Sequence, residues 1–279
     1  MNVLVQRKYK ITKTLGQGKF GVVHQGQNVK TNEYVAIKHS YNEIAGINII
    51  KNEASILNYL YRNGCRQVPF VYLYGVFLNK PTLVMSYYDC SLEDYCKVRE
   101  TPKDASIAEL YVRWFKVMLN VLEEIHSHFI IHRDIKPQNF MIKDGDLFLI
   151  DFGLATTYTD SSGNHISQKL GKTDIIGTPK YISMNVENGI EPARRDDVIS
   201  ACYIFLYMHF GELPWNQDKC PRYLLVEEND SGIKNWRTFL KSWDYLESTV
   251  KEMGEPFYSF IRRAYLKEFK DAPVYTGGT

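Results

Sequence analysis

Long apolar runs, paired cysteines and a one-sided charge are all missing from this chain of 279 residues. Its most apolar stretch, Val198 to Phe210, is thirteen residues long. That is well short of the roughly 20 needed to cross a bilayer, so it is expected to be a buried helix, with no membrane partner. The opening residues MNVLVQRKYK hold no extended apolar core, and no secretory leader is expected. The cysteines Cys65, Cys90, Cys96, Cys202 and Cys220 are odd in number and form no Cys-x-x-Cys pair. This spacing argues against a disulfide framework or a zinc site, and for reduced thiols inside a cell, in cytoplasm or nucleus. A formal net charge of +2 gives no electrostatic case for nucleic acid. No internal repeat stands out, and the length allows one large domain or two lobes with ample core.

The chemistry present is concentrated in residues 130–153, IIHRDIKPQNFMIKDGDLFLIDFG. Two short apolar runs, Phe129 to Ile131 and Leu147 to Ile150, each end on a polar cluster: His132-Arg133-Asp134 after the first, Asp151-Phe152-Gly153 after the second. Lys136 and Asn139 lie between them in a loop that Pro137 keeps from becoming a regular helix. Asp144-Gly145-Asp146 marks a hairpin-like turn. Carboxylate and amide oxygens suit a hard cation such as magnesium, and a lone ammonium suits a phosphate. The grouping fits phosphoryl transfer.

The rest of the chain supplies matching parts. Tyr9 to Leu15 alternates as a strand does, and Gly16-Gln17-Gly18-Lys19-Phe20-Gly21-Val22-Val23 leads into a second strand. Glycines let backbone N–H groups close over a phosphate, although this pattern also fits a plain hairpin. A dinucleotide fingerprint is excluded, because that motif requires a helix directly after the glycines. Glu33 to Lys38 is a third strand ending on a lysine. Alone, Lys38 would read as a surface residue; beneath a glycine-rich loop it can meet phosphates. Helical spacing over Ile49 to Tyr61 carries Glu53, preferred to Glu43 as its acidic partner. Pro69 to Phe77 and Thr82 to Tyr88, with Asn79-Lys80-Pro81 as the turn, complete a small sheet. Strands give way to helices near residues 86–90. Ser91 to Asp94 resembles a helix start, and Asp104 to His128 is a long amphipathic helix. Residues 156–176 read as an exposed loop. Arg194-Arg195-Asp196-Asp197 precedes the apolar helix as its solvated end, unless the acids brace a neighbouring loop. After Leu213-Pro214-Trp215, residues 236–269 read as helical.

In this order, GxGxxGxV, VAIK, a helical Glu, HRDIKPQN and DFG resemble the protein kinase signature set. Further segments resemble casein kinase I enzymes: Ser91-Leu92-Glu93-Asp94, Lys136-Pro137-Gln138-Asn139-Phe140, Gly177-Thr178-Pro179-Lys180-Tyr181-Ile182-Ser183, Arg194 to Asp197, and Leu213-Pro214-Trp215. Ser183-Met184-Asn185 stands where most kinases have Ala-Pro-Glu, again as in casein kinase I. Lys136 two residues after Asp134 follows the serine/threonine pattern.

The resemblance implies an α+β, bilobal fold in a single kinase domain over 1–279. Its N-lobe would be a small antiparallel sheet with one main helix over about 1–85, followed by a hinge at about 86–90 and a larger, mostly helical C-lobe over about 91–279. It implies ATP and Mg2+ as cofactors, and protein substrates bearing Ser or Thr, for a monomeric enzyme. Asp134 would accept the hydroxyl proton, Lys136 steady the γ-phosphate, and Asn139 and Asp151 hold magnesium, while Lys38, fixed by Glu53, holds the α- and β-phosphates. Leu15, the glycine-rich residues 16–23, Ala36, Met85 as gatekeeper and Met141 would surround the nucleotide. The family's basic stretch after Leu-Pro-Trp is thin here, reduced to Lys219 and Arg222 before Glu227-Glu228, so a preference for acidic or pre-phosphorylated sites is weakened. Lys180 keeps the family's other basic position. A catalytically weak pseudokinase scaffold is the alternative, against which intact Lys38, Asp134, Asn139 and Asp151 argue.

Overall fold

The computed structural model describes residues 4–18, 21–41, 49–98, 105–169, 173–216, 219–220 and 231–276, and side chains throughout these except at 231–235. In chain order the elements are β1 (Leu4–Val5), β2 (Tyr9–Gly18), β3 (Gly21–Asn28), β4 (Tyr34–Ser40), α1 (Ile49–Arg62), β5 (Val71–Phe77), β6 (Lys80–Ser86) and β7 (Cys90–Ser91). There follow α2 (Leu92–Val98), α3 (Ala105–Ser127), β8 (Ile130–Ile131), β9 (Phe140–Lys143), β10 (Asp146–Leu149) and β11 (Thr156–Thr157). The last are α4 (Met184–Glu187), α5 (Arg194–Phe210), α6 (Ser231–Leu240), α7 (Trp243–Glu252) and α8 (Phe257–Tyr265). The expected α+β class, strands first and helices after, is the one observed.

Two compact units divide the chain, one of residues 1–91 with 140–155, the other of 92–139 with 156–279. In the first, an antiparallel sheet has the order β1-β2-β3-β4-β6-β5. Alternation puts Val5, Tyr9, Val35, Ile37 and Val84 on one buried face, with Ile11, Leu73 and Phe77 packed against them. Helix α1 buries Ile50, Ala54, Leu57 and Leu60, the recurrence expected of a 3.6-residue period. The β5–β6 turn falls at Leu78 and Asn79, whose φ values of 49° and 59° are left-handed, as a two-residue hairpin requires. Lys80 and Pro81 therefore belong to β6, not to the turn that the sequence suggests. The β9–β10 hairpin pairs with β7 and is tied to the loop after α1. Leu149 N donates to Gln67 O at 2.9 Å, and Phe148 stacks on Tyr88 at 4.9 Å.

The second unit is built on α3 and α5. Phe115 stacks on Phe205 at 4.4 Å, and Phe260 of α8 meets Phe115 edge-on at 5.5 Å. Helix α5 is buried along nearly its whole length, as expected of a helix apolar all round. It begins at Arg194, so the charged run 194–197 is its first turn. Arg195, Asp196 and Asp197 are 6%, 4% and 3% exposed. A solvated end is thus the wrong reading, and the bracing alternative is the one the hydrogen bonds support. Asp196 accepts from Ala193 N and from the Ser183 hydroxyl, and Asp197 reaches the loop after β8.

Candidate active site

In the first unit, register places Lys38 on β4 between Val23 of β3 and Leu83 of β6. Helix α1 turns Glu53 inward on its buried face, fully shielded from solvent. Lys38 Nζ lies 2.7 Å from Glu53 Oε2 and 2.7 Å from Asp151 Oδ1. Burial works against the Lys38 charge, but the two carboxylates outweigh it and hold its pKa above the ordinary lysine value. Burial also pushes the Glu53 carboxyl up, opposed by Lys38. Asp151 sits in a left-handed turn with φ 65°. Phe152 after it is wholly buried, while the Asp151 side chain is 43% exposed. Gly153 has no room for a side chain: a Cβ there would stand 2.8 Å from Ile49 Cγ2 on α1.

On either side of the glycine-rich segment the two strands pair, with Gly16 opposite Val23, Gln17 opposite Val22 and Gly18 opposite Gly21, after a register shift between Thr14 and Gly16. A Cβ on Gly21 would fall 2.0 Å from His39 O, so only glycine lets β3 approach β4 there. Lys19 and Phe20, expected at the tip, lie outside the described residues, as does Glu43. Ala36 faces Met85 across β4 and β6, and both are buried. Leu15 is exposed on β2, and Met141 is half-buried on β9 opposite Phe148.

In the second unit, β8 delivers His132, Arg133 and Asp134 to a loop held by Asp197. Asp197 accepts from His132 N at 2.7 Å, Arg133 N at 2.9 Å and His126 Nε2 at 3.0 Å. Burial opposes its charge, yet these donors win and hold its pKa below the usual carboxylate value. The loop needs the restraint, since Arg133 is left-handed at φ 68°, a conformation costing roughly 1–2 kcal/mol in a residue with a side chain. Lys136 Nζ is 2.6 Å from Asp134 Oδ2. Asn139, closing the 3₁₀ turn Pro137–Asn139, donates through Nδ2 to Asp134 O at 2.8 Å. Its amide nitrogen is thereby fixed, which leaves Oδ1 as the atom a cation would take.

Sequence reasoning missed one member of this group. Thr178 Oγ1 donates to Asp134 Oδ1 at 2.7 Å and accepts from Lys136 Nζ at 3.1 Å. A carboxylate, an ammonium and a hydroxyl thus close a three-way contact. The only sequence signal was the hydroxyl directly after Gly177, whose φ of 107° lets the backbone pass 2.7 Å (measured from a hypothetical Cβ) from Arg133 O.

The donor chemistry fits a nucleotide-borne magnesium ion. Among the described residues no group of three His, Cys, Asp or Glu side chains could hold a metal. Taken each in its own unit, the Asp151 carboxylate and the Asn139 amide oxygen are of the kind that a hard cation takes alongside phosphate and water. Among the described residues no helix is long and apolar enough to cross a membrane. A family model described as protein kinase domain matches residues 9–269.

Proposed function

Since the chain belongs to the protein kinase domain family, we propose that it is a serine/threonine kinase of the casein kinase I type, acting on protein hydroxyls with ATP and Mg2+. The observation that carries this reading is the contact of Asp134, Lys136 and Thr178. Thr178 donates to one Asp134 carboxylate oxygen, and Lys136 and, at 3.4 Å, Asn139 Nδ2 donate to the other, which orients the carboxylate to accept a hydroxyl proton. Lys136 places a positive charge beside that acceptor, where it steadies a transferring phosphoryl group. Lys38, paired with Glu53 and Asp151, offers an ammonium to the α- and β-phosphates. Asp151 and Asn139 supply oxygen ligands to magnesium. ATP with its magnesium brings the phosphoryl group and the charge neutralisation, and the protein contributes positioning.

The casein kinase I assignment rests on the segments Ser91 to Asp94, Lys136 to Phe140, Gly177 to Ser183 and Arg194 to Asp197. Any bias toward acidic or pre-phosphorylated sites draws on Lys180 and Lys219, with Arg222 outside the described residues. The Lys180 ammonium lies 4.6 Å above the Tyr207 ring, while Lys219 is ion-paired with Glu212. Asp134→Asn and Lys38→Met are expected to stay folded and lose nearly all transfer of radiolabelled phosphate to casein. Turnover near the wild-type rate in either variant would overturn these roles.

A further inference from the structure

Lys241 takes no part in the site above, yet its side chain has no solvent exposure at all. It follows directly after α6, and its three N–H bonds match three acceptors. Pro179 O is at 2.7 Å, Ile182 O at 2.9 Å and Glu187 Oε2 at 2.7 Å. The other Glu187 oxygen accepts from Arg237 Nε at 2.6 Å. Between the two lysine-bound carbonyls, Lys180 O accepts from Trp215 Nε1 at 2.7 Å. Three carbonyls of one tight turn are therefore held by side chains of the surrounding helical unit.

Inside that turn, Tyr181 N and Ile182 N both donate to Thr178 O, at 2.8 and 3.0 Å. Thr178 is the residue whose hydroxyl meets Asp134 and Lys136. The chain of contacts runs from Lys241 through two peptide carbonyls to Thr178 and on to the acidic group. A buried ion pair of this kind is a poor source of stability, because desolvation offsets its attraction, but it does fix geometry. Serving as an anchor for a loop is what the arrangement suits.

We propose that Lys241 is a positioning residue: by fixing the carbonyls of Pro179 and Ile182 it holds Thr178 against Asp134, and so sets the rate of transfer without touching substrate. The rate part of this proposal rests on the role given to Asp134 above. The groups facing Lys241 are Glu187 of α4, Arg237 of α6, Tyr203 of α5, Tyr265 of α8 and Trp215. Burial and Arg237 together pull the Lys241 pKa down to about 8, against the attraction of Glu187. The anchor therefore loses a donor and its charge as pH rises through that value.

The test uses the full chain with Lys241→Met and Glu187→Gln. In Lys241→Met, kcat for casein is expected to fall about tenfold to a hundredfold, the scale of a small misplacement of a reacting group, with KM for ATP unchanged. In the same variant, hydrogen exchange at the amides of Tyr181 and Ile182 is expected to accelerate. In Glu187→Gln, the lysine loses its counter-charge, so the alkaline limb of kcat moves below its wild-type position and activity recovers on lowering the pH. Unchanged exchange at those two amides would overturn the proposal whether or not the protein phosphorylates casein. Unchanged kcat in Lys241→Met, or an alkaline limb that stays in place in Glu187→Gln, would overturn it too. A folded wild type that does not turn over, while the amides respond as expected, would count against the proposed kinase function and leave the anchor standing.

Discussion

Replacing Asp197 by Asn tests how the loop carrying Asp134 is held. The carboxylate accepts three N–H groups, two from the backbone of His132 and Arg133 and one from His126. An amide keeps one acceptor oxygen. In its better orientation that oxygen serves His132 N and His126, and the new NH2 group faces Arg133 N. One buried backbone donor is then unsatisfied, costing about 1–3 kcal/mol. The two surviving bonds lose the assistance of a full charge, about 1 kcal/mol each. The sum is about 3–5 kcal/mol, comparable with removing one partner of a buried ion pair. At about 2–4 °C per kcal/mol for a chain of this size, calorimetry should record a midpoint lower by roughly 6–20 °C. Arg133, held at φ 68°, is then free to relax, so kcat should fall further than global stability does. The pH dependence follows from the direction of the shift. The folded carboxyl lies below its ordinary 3.8, so its contribution is complete above that value and is lost as pH falls through the folded pKa. Wild type and Asp197→Asn should differ equally at pH 7 and 5 and converge only in stronger acid. A midpoint within about 3 °C of wild type, with kcat unchanged, would refute the reasoning.

Two further expectations concern the sheet of the first unit. Burial, with His24 and Lys80 nearby, pulls the His39 pKa to about 4, so the ring is neutral when folded. Thr82 gives its proton to Lys80 O at 3.0 Å, which makes His39 Nδ1 the donor in the 2.8 Å bond to Thr82. Because the unfolded imidazole binds a proton near 6.5, stability should fall as pH drops from 6.5 toward 4, by about 1 kcal/mol per pH unit. Urea midpoints should therefore drop less with acid in His39→Gln than in wild type, and equal slopes would contradict the assignment. Gly21→Ala, which would bring a Cβ to 2.0 Å from His39 O, should cost about 1–3 kcal/mol by overpacking and weaken ATP binding. Gly16→Ala and Gly18→Ala, whose Cβ positions are open, should cost far less. Equal thermal midpoints for all three would exclude the steric account.

What the sequence made legible was whatever rests on neighbours in the chain. The amphipathic stripe from Ile107 to Ile125 marks α3 to within a residue or two of its observed span, Ala105–Ser127. The pattern Ile50, Ala54, Leu57, Leu60 does the same for α1. The placement of Glu53 fifteen residues after Lys38 already suggested partners, and the two are ion-paired. What stayed hidden depends on residues far apart. Thr178 meets Lys136 and Asp134 across 42 and 44 positions, and its place after Gly177 is the only local mark that sets it apart from other turn hydroxyls. Lys241 reads as a lysine at a helix end, a place where lysines are usually solvated. Its partners, Pro179 O, Ile182 O and Glu187, are 62, 59 and 54 positions away. The run Arg194 to Asp197 misled for the same reason, since charge is read as exposure until its distant partners are known.

The first unit is discontinuous, and this has a consequence for biosynthesis. Its residues 1–91 emerge from a ribosome well before the hairpin 140–155 that completes it. Until then β7 lacks its partner β9, Gln67 lacks Leu149, and Asp151 cannot yet balance the charge on Lys38 beside Glu53. Strand β7 must wait through the whole stretch Leu92–Asn139 with an unpaired edge, and Tyr88 without Phe148, the kind of exposure that favours aggregation of growing chains. A fragment cut at Ser91 would therefore be an unfinished half, and expression of the kinase should depend on chaperones that shelter the chain during that interval.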